Sequence, residues 1–328
     1  MLNCLNFSFG PDLDHFRIAL QNGSLARLAA HSHKRFVPHG TAVTCELLAK
    51  SLPRPVPATT SFPMRRFIPF LKSPPLVSVI RLQGMISSGG RGALSDAILA
   101  PVIERAFRKG KPAAVALVIN SPGGSPVQSS LIAARIRRLA DDRKIPVHAF
   151  VEDVAASGGY WLATAADDIW VDENSVIGSI GVISSGFGLS DFISRYGIER
   201  RVHTAGTSKS FLDPFRPEKP EDVAKLHAIL EPIHASFKAQ VARRRGTRLV
   251  ADRDLFTGDV WVGEAGISVG LADGLGHLVP KLKSLYGDKV RLVPYGPKRP
   301  FFRRFGASLL SDAVDQIEER AMLSRYGL

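Results

Sequence analysis

The chain has few of the residues that build disulfide frameworks or metal centres. Its 2 cysteines, Cys4 and Cys45, both lie near the N-terminus, far from the glycine-rich motifs further on. No Cys/His spacing of a zinc site occurs, so the chemistry is expected to need neither metal nor cofactor. A reducing compartment is permitted. No run of about 18 apolar residues is present, so no membrane-spanning helix is predicted. The start also lacks the basic, apolar and small-residue regions of a secretory leader. Location in the cytoplasm or peripheral to a membrane is therefore expected. Acidic residues are in deficit, 30 against 43 lysines and arginines, leaving a formal net charge of +13. There is no internal duplication on the scale of the motifs described below, which excludes a tandem architecture.

With 328 residues, 45% of them hydrophobic, the chain can hold one large domain or two small ones. Apolar runs alternate with helical periodicity, which argues for one α/β domain with terminal extensions. Ala113 to Ile119 reads as a strand buried on both faces, and Ile145 to Val151 as another. Between them, Val127 to Leu139 has apolar positions at helical spacing and places Arg135, Arg137 and Arg138 on its other face.

Chemistry concentrates at the ends of those strands. Ala155-Ala156-Ser157-Gly158-Gly159-Tyr160-Trp161 sets a hydroxyl on a tight, glycine-flanked corner. A serine is a poor nucleophile unless a neighbouring base removes its proton. Lys209, in Gly206-Thr207-Ser208-Lys209-Ser210, is such a base if its surroundings keep it neutral, and Ser-Lys pairs are a known variant of the triad. A third motif, Asn120-Ser121-Pro122-Gly123-Gly124-Ser125, joins a strand to a helix N-terminus, where unpaired N–H groups favour negative charge. A tetrahedral oxyanion suits that position, with Gly158 N–H as a second donor. Each part alone also fits a plain structural role: a tight turn, a solvated lysine, an ordinary strand-to-helix loop. A Ser-His-Asp site would have to draw on His203, His227, His234 or His277, all on elements where histidines usually serve surface or packing roles.

Together these residues resemble the signal peptide peptidase A family of serine-lysine peptidases. The likeness runs from about Leu76 to Leu278. It takes in the NSPGG loop, the ASGGYW corner, the IGSIGVI segment at Ile177 to Ile183, the lysine loop GTSKSFLDPF and the FTGDVWVGEAGISVGLADGLG run from Phe256 to Gly276. Any one is a weak pattern; all of them in this order are specific. The resemblance implies an α/β, ClpP/crotonase-like fold: a repeated ββα superhelix with a parallel sheet. It implies that Ser157 is the nucleophile and Lys209 the general base, and that Gly123 or Gly124 forms the oxyanion hole with Gly158. Ser179 falls where the family has a serine that orients the lysine. Short members are similar to ring-like homo-oligomers whose Ser and Lys come from adjacent subunits. The implied reaction is endopeptidase cleavage of short hydrophobic peptides, such as signal-peptide remnants, through an acyl-enzyme. Two other readings stay open: a crotonase-like acyl-CoA enzyme, for which Glu152 is the only nearby glutamate, and a catalytically inactive ClpP-like scaffold.

The expected domain organisation is a poorly structured extension over 1–63, a basic lead-in over 64–75, the peptidase domain over 76–285, and a basic linker with an amphipathic helix over 286–328. Many family members begin with a membrane anchor, so this N-terminus departs from the pattern. Met64-Arg65-Arg66-Phe67 reads as an alternative translation start. Basic residues interleaved with aromatics in Lys298 to Phe305 suit peripheral contact with anionic lipid headgroups. Nothing resembles a nucleic-acid-binding module, so no nucleic-acid partner is expected.

Overall fold

The computed structural model describes residues 73–89, 93–206, 209–296 and 323–326. The expectations for residues 1–72, for Thr207 and Ser208, and for most of the stretch after Gly296 lie outside the described residues.

An eight-stranded sheet forms the centre. Its strands are β1 (Leu76–Gln83), β2 (Ala114–Ser121), β3 (Val147–Ala156), β4 (Asp168–Val171), β5 (Val176–Gly178), β6 (Val260–Val262), β7 (Gly274–Leu275) and β8 (Arg291–Tyr295). The main path runs β6-β5-β3-β2-β1-β8, with β4 on β3 and β7 on β4. Every pairing is parallel except β5 with β6. The mostly parallel α/β architecture expected from the sequence is therefore present.

Side-chain alternation divides the sheet into two faces. Val115, Leu117 and Ile119 of β2 join the main core with helices α1 (Asp96–Arg108), α2 (Pro126–Arg143) and α3 (Gly158–Ala163). Ala114 and Ala116 point the other way, towards Leu282 of α7 (Leu278–Tyr286). Covered on both faces, β2 has no need of polar alternation, hence its continuous apolar run. Ser95 caps α1 and Ser125 caps α2, the latter followed by Pro126 in the first turn, where a missing N–H does no harm.

β3 changes partner along its length, and this creates the site. His148 to Phe150 pair with β4, whereas Val154 to Ala156 pair with β5. Between these stretches Glu152 bonds Arg81 at 2.5 Å, and Asp153 accepts from Asn120 Nδ2 at 2.5 Å. These cross-strand partners let two acids stand inside a strand, which runs five residues past the apolar stretch read from sequence.

Three further helices complete the described chain: α4 (Ser190–Arg195), α5 (Pro220–Arg245) and α6 (Glu264–Ser268). In α5 only Phe237, Val241 and Arg245 are buried, so just its C-terminal half is docked. Phe237 stacks on Trp161 with centroids 4.9 Å apart. Arg245, 3% exposed, holds Asp273 with two guanidinium bonds of 2.7 and 3.1 Å. His203 lies in irregular, exposed chain.

Candidate active site

Ser157 occupies the step from β3 to α3, with φ 51° and ψ −120°. That region is rare for a residue bearing a Cβ and is held only where surroundings over-determine it. Here two bonds fix it. Ser157 N–H donates to Gly178 O at 2.8 Å, and Ser157 O accepts from Trp161 N–H at 3.0 Å. The same strand-to-helix strain exposes the nucleophile in hydrolase elbows. Tyr160 anchors the helix from below: wholly buried, it donates to Leu271 O at 2.8 Å, and burial pushes its phenol up.

The NSPGG loop lies against this corner. A Cβ placed on Gly123 would stand 2.9 Å from both Gly158 N and Ser157 Cβ, and one on Gly158 would stand 3.4 Å from Gly124 N. Gly124 itself, at φ 137°, passes so close to Ile86 that an added Cβ would meet Ile86 O at 2.1 Å. Of the two loop glycines, Gly123 already uses its N–H on Ser121 Oγ at 3.3 Å, and that hydroxyl donates to Gly84 O at 2.7 Å. The N–H groups of Gly124 and Gly158 have no acceptor among the described residues. Ser157 Oγ likewise has no partner there, so hydroxyl and free donors share one corner. Ser121, and Ser129 packed under Gly158, support the loop from within; as small residues in a motif they carried no separate signal.

Ser179 follows the glycine that holds Ser157. It has φ 51°, donates its N–H to Asp259 O at 2.7 Å, and lies half-buried. Sequence reasoning missed Tyr326, whose hydroxyl stands 3.5 Å from Ser179 Oγ.

Among the described residues no bond joins Lys209 to Ser157. The lysine sits on an exposed turn, its backbone N–H on Gly206 O at 3.3 Å. Asp213, the nearest acid in sequence, is engaged elsewhere: the Phe215 N–H and then the Arg200 guanidinium hold its carboxyl below the usual range. The surrounding segment shows large apolar side chains to solvent, among them Phe187 at 84% and Tyr196 at 69%.

The alternative bases are occupied or remote. His234 Nε2 bonds Ile180 O at 3.1 Å, His277 is 72% exposed beside Asp172, and His203 and His227 are exposed. Glu152 is committed to Arg81. No cluster of three or more metal-ligating side chains occurs among the described residues, and no helix among them is long and apolar enough to cross a membrane.

These features define an α/β protein with a strained serine between free backbone donors. Comparison with known proteins adds to this picture. Residues 140–286 match the description of peptidase family S49. A Brucella melitensis protein named as a Na+/H+ antiporter is 46% identical over 77% of this chain and 37% of its own length. A putative protease of Synechocystis is 28% identical over 74% of this chain and 87% of its own. A putative signal peptide peptidase of Enterococcus faecium is 30% identical over 53% of this chain and 51% of its own. The chain thus spans little more than a third of the Brucella relative it matches. Together the match over residues 140–286 and the protease-named relatives support the signal peptide peptidase A family.

Proposed function

We propose that this protein is a serine peptidase in which Ser157 attacks the scissile carbonyl and Lys209, supplied by a neighbouring copy of the chain, is the general base. The observation that carries the reading is the corner where the unpartnered Ser157 hydroxyl meets the free N–H groups of Gly124 and Gly158. The match to peptidase family S49 over residues 140–286 supports the reaction class.

In the first step Ser157 Oγ bonds to the carbonyl carbon while its proton passes to Lys209 Nζ. The carbonyl π electrons move onto oxygen, where the Gly124 and Gly158 N–H groups meet them. The C–N bond then breaks, and the departing amine takes the lysine proton. A water molecule, deprotonated by Lys209, attacks the acyl-enzyme; collapse of the second tetrahedral species returns the proton to Ser157 and frees the acid. Gly123, its N–H already spent on Ser121, shapes the loop. Ser179 orients the lysine by its hydroxyl, and no metal or cofactor takes part.

Short apolar peptides are the proposed substrates, signal-peptide remnants among them, as the name of the Enterococcus relative suggests. A crotonase-like reaction has less support, because Glu152 is tied to Arg81 rather than turned to the glycine loop.

Subunit mixing tests the proposal. Ser157→Ala and Lys209→Ala should each abolish cleavage of a fluorogenic apolar peptide. Mixed, they should regain part of the wild-type rate, since some interfaces then pair an intact serine with an intact lysine. Wild-type turnover by either variant alone would sink the mechanism. Mixed oligomers without activity would place both residues of a site in one chain.

A further inference from the structure

Beside the nucleophile lies a small apolar shelf separate from the main core. It consists of Val154 and Ala156 of β3 and Val176 of β5, all buried, and among the described residues the partly buried apolar side chains packed on it are Leu323 and Tyr326. Val154 and Val176 are register partners, and Ala156 immediately precedes Ser157. The shelf therefore continues directly into the reacting corner. Leu323 directly precedes the 3-10 turn Ser324–Tyr326, so one short segment brings both side chains onto the shelf.

Tyr326 does more than cover apolar surface. Its hydroxyl stands 3.5 Å from Ser179 Oγ, at the long end of hydrogen-bond range. Ser179 N–H is already bound to Asp259 O, and the residue before it holds Ser157 in place. The phenol thus fills the space beside the hydroxyl that, on the reading above, orients the lysine. A substrate with apolar side chains laid along the end of β3 needs the same shelf.

We propose that the segment Leu323–Tyr326 is an internal latch: it occupies the substrate shelf and the approach to Ser179, and it must lift before an apolar peptide and the lysine can engage. The latch rests on the serine-lysine reading for its effect on catalysis, but not for its effect on peptide binding. Its occupancy taxes apparent affinity, because a peptide binds only the fraction of molecules in which the shelf is open.

The test uses the full chain carrying Leu323→Ala and Tyr326→Ala together. On a Ser157→Ala background, fluorescence anisotropy of a labelled apolar decapeptide should show binding about 5-fold tighter once the latch is removed. With Ser157 intact, KM for the fluorogenic peptide should fall by a similar factor while kcat changes little. A synthetic peptide of residues 319–328, added to the latch-free enzyme, should restore inhibition competitively, raising KM without lowering kcat. Tighter binding without any cleavage would uphold the latch and sink the peptidase reading. Cleavage with unchanged KM and no inhibition by the added peptide would sink the latch and leave the peptidase. If the double variant melts at lower temperature and binds more weakly, and the added peptide does not compete, the segment is a structural strap and the proposal is overturned.

Discussion

Ser157 pays for its position with backbone strain, at about 1–3 kcal/mol for a residue in so rare a region. Glycine visits that region freely, although it loses more entropy on folding. Ser157→Gly should therefore be inactive yet more stable than wild type by about 1 kcal/mol, while Ser157→Ala should be inactive and unchanged in stability; urea midpoints of the two variants check this. Neighbouring Gly159 shows the opposite constraint. A Cβ there would meet the Ser121 carbonyl oxygen at 2.3 Å, and backbone cannot swing aside. Gly159→Ala should cost about 2 kcal/mol by overpacking, whereas Gly186→Ala, with nothing within 4 Å of the new carbon, should leave the midpoint where it was. The glycine pairs were plain in the sequence as tight corners. Which loop N–H remained free was not, because that depends on the Ser121 side chain turning to take the one on Gly123.

Between elements, much of the basic excess proves to be structural cement. Arg135, read from sequence as one of several cations on the outer face of a helix, instead ties α2 to α1 through two bonds of 2.7 Å to Asp96 and one of 3.2 Å to Glu104. The guanidinium holds the Asp96 carboxyl below its ordinary range. A folded-state pKa below the unfolded one gives stability that is present above the unfolded value and lost as pH falls through the folded one. Asp96→Asn should thus destabilise by about 1 kcal/mol near neutrality, and the gap to wild type should close once pH drops below the ordinary carboxylate range; thermal melts from pH 7 to pH 2.5 measure it. Strands β2 and β3 were legible because burial on both faces demands unbroken apolar runs. Helix α1 was not read at all: Pro101, a residue disfavoured inside helices, lies within it, and its pairing with α2 is a long-range contact that no local spacing reveals. The end of β3 was hidden by Glu152 and Asp153, which look like a strand terminus until their cross-strand partners are known.

At the scale of the molecule, an unequal distribution of apolar surface remains. The docked half of α5 is locked by Phe237 and Arg245, but the chain between Ile183 and Phe215 carries Ile183 at 63%, Phe187 at 84%, Phe192 at 57% and Tyr196 at 69% exposure. Monomeric proteins rarely leave so many large side chains of one segment in water, and such patches mark association sites. Lys209 lies within this same stretch, exposed and with no side-chain bond to Ser157 among the described residues. On the serine-lysine reading proposed above, one arrangement accounts for both: the segment reaches onto a neighbouring copy, burying its rings and delivering the lysine together. The sequence displayed the lysine and the serine but held no measure of the gap between them, since that gap is set by where an arm of the fold points. Phe187→Glu combined with Phe192→Glu places two charges in the proposed contact, where unpaired burial of either is strongly unfavourable. Sedimentation velocity should show the wild type as an oligomer and this variant as a monomer. Its circular dichroism and melting of the α/β body should be preserved, and its peptidase activity should be lost although Ser157 and Lys209 are intact. An active monomer would show that the serine and lysine meet within one chain; an inactive oligomer of unchanged size would move the contact elsewhere on the surface.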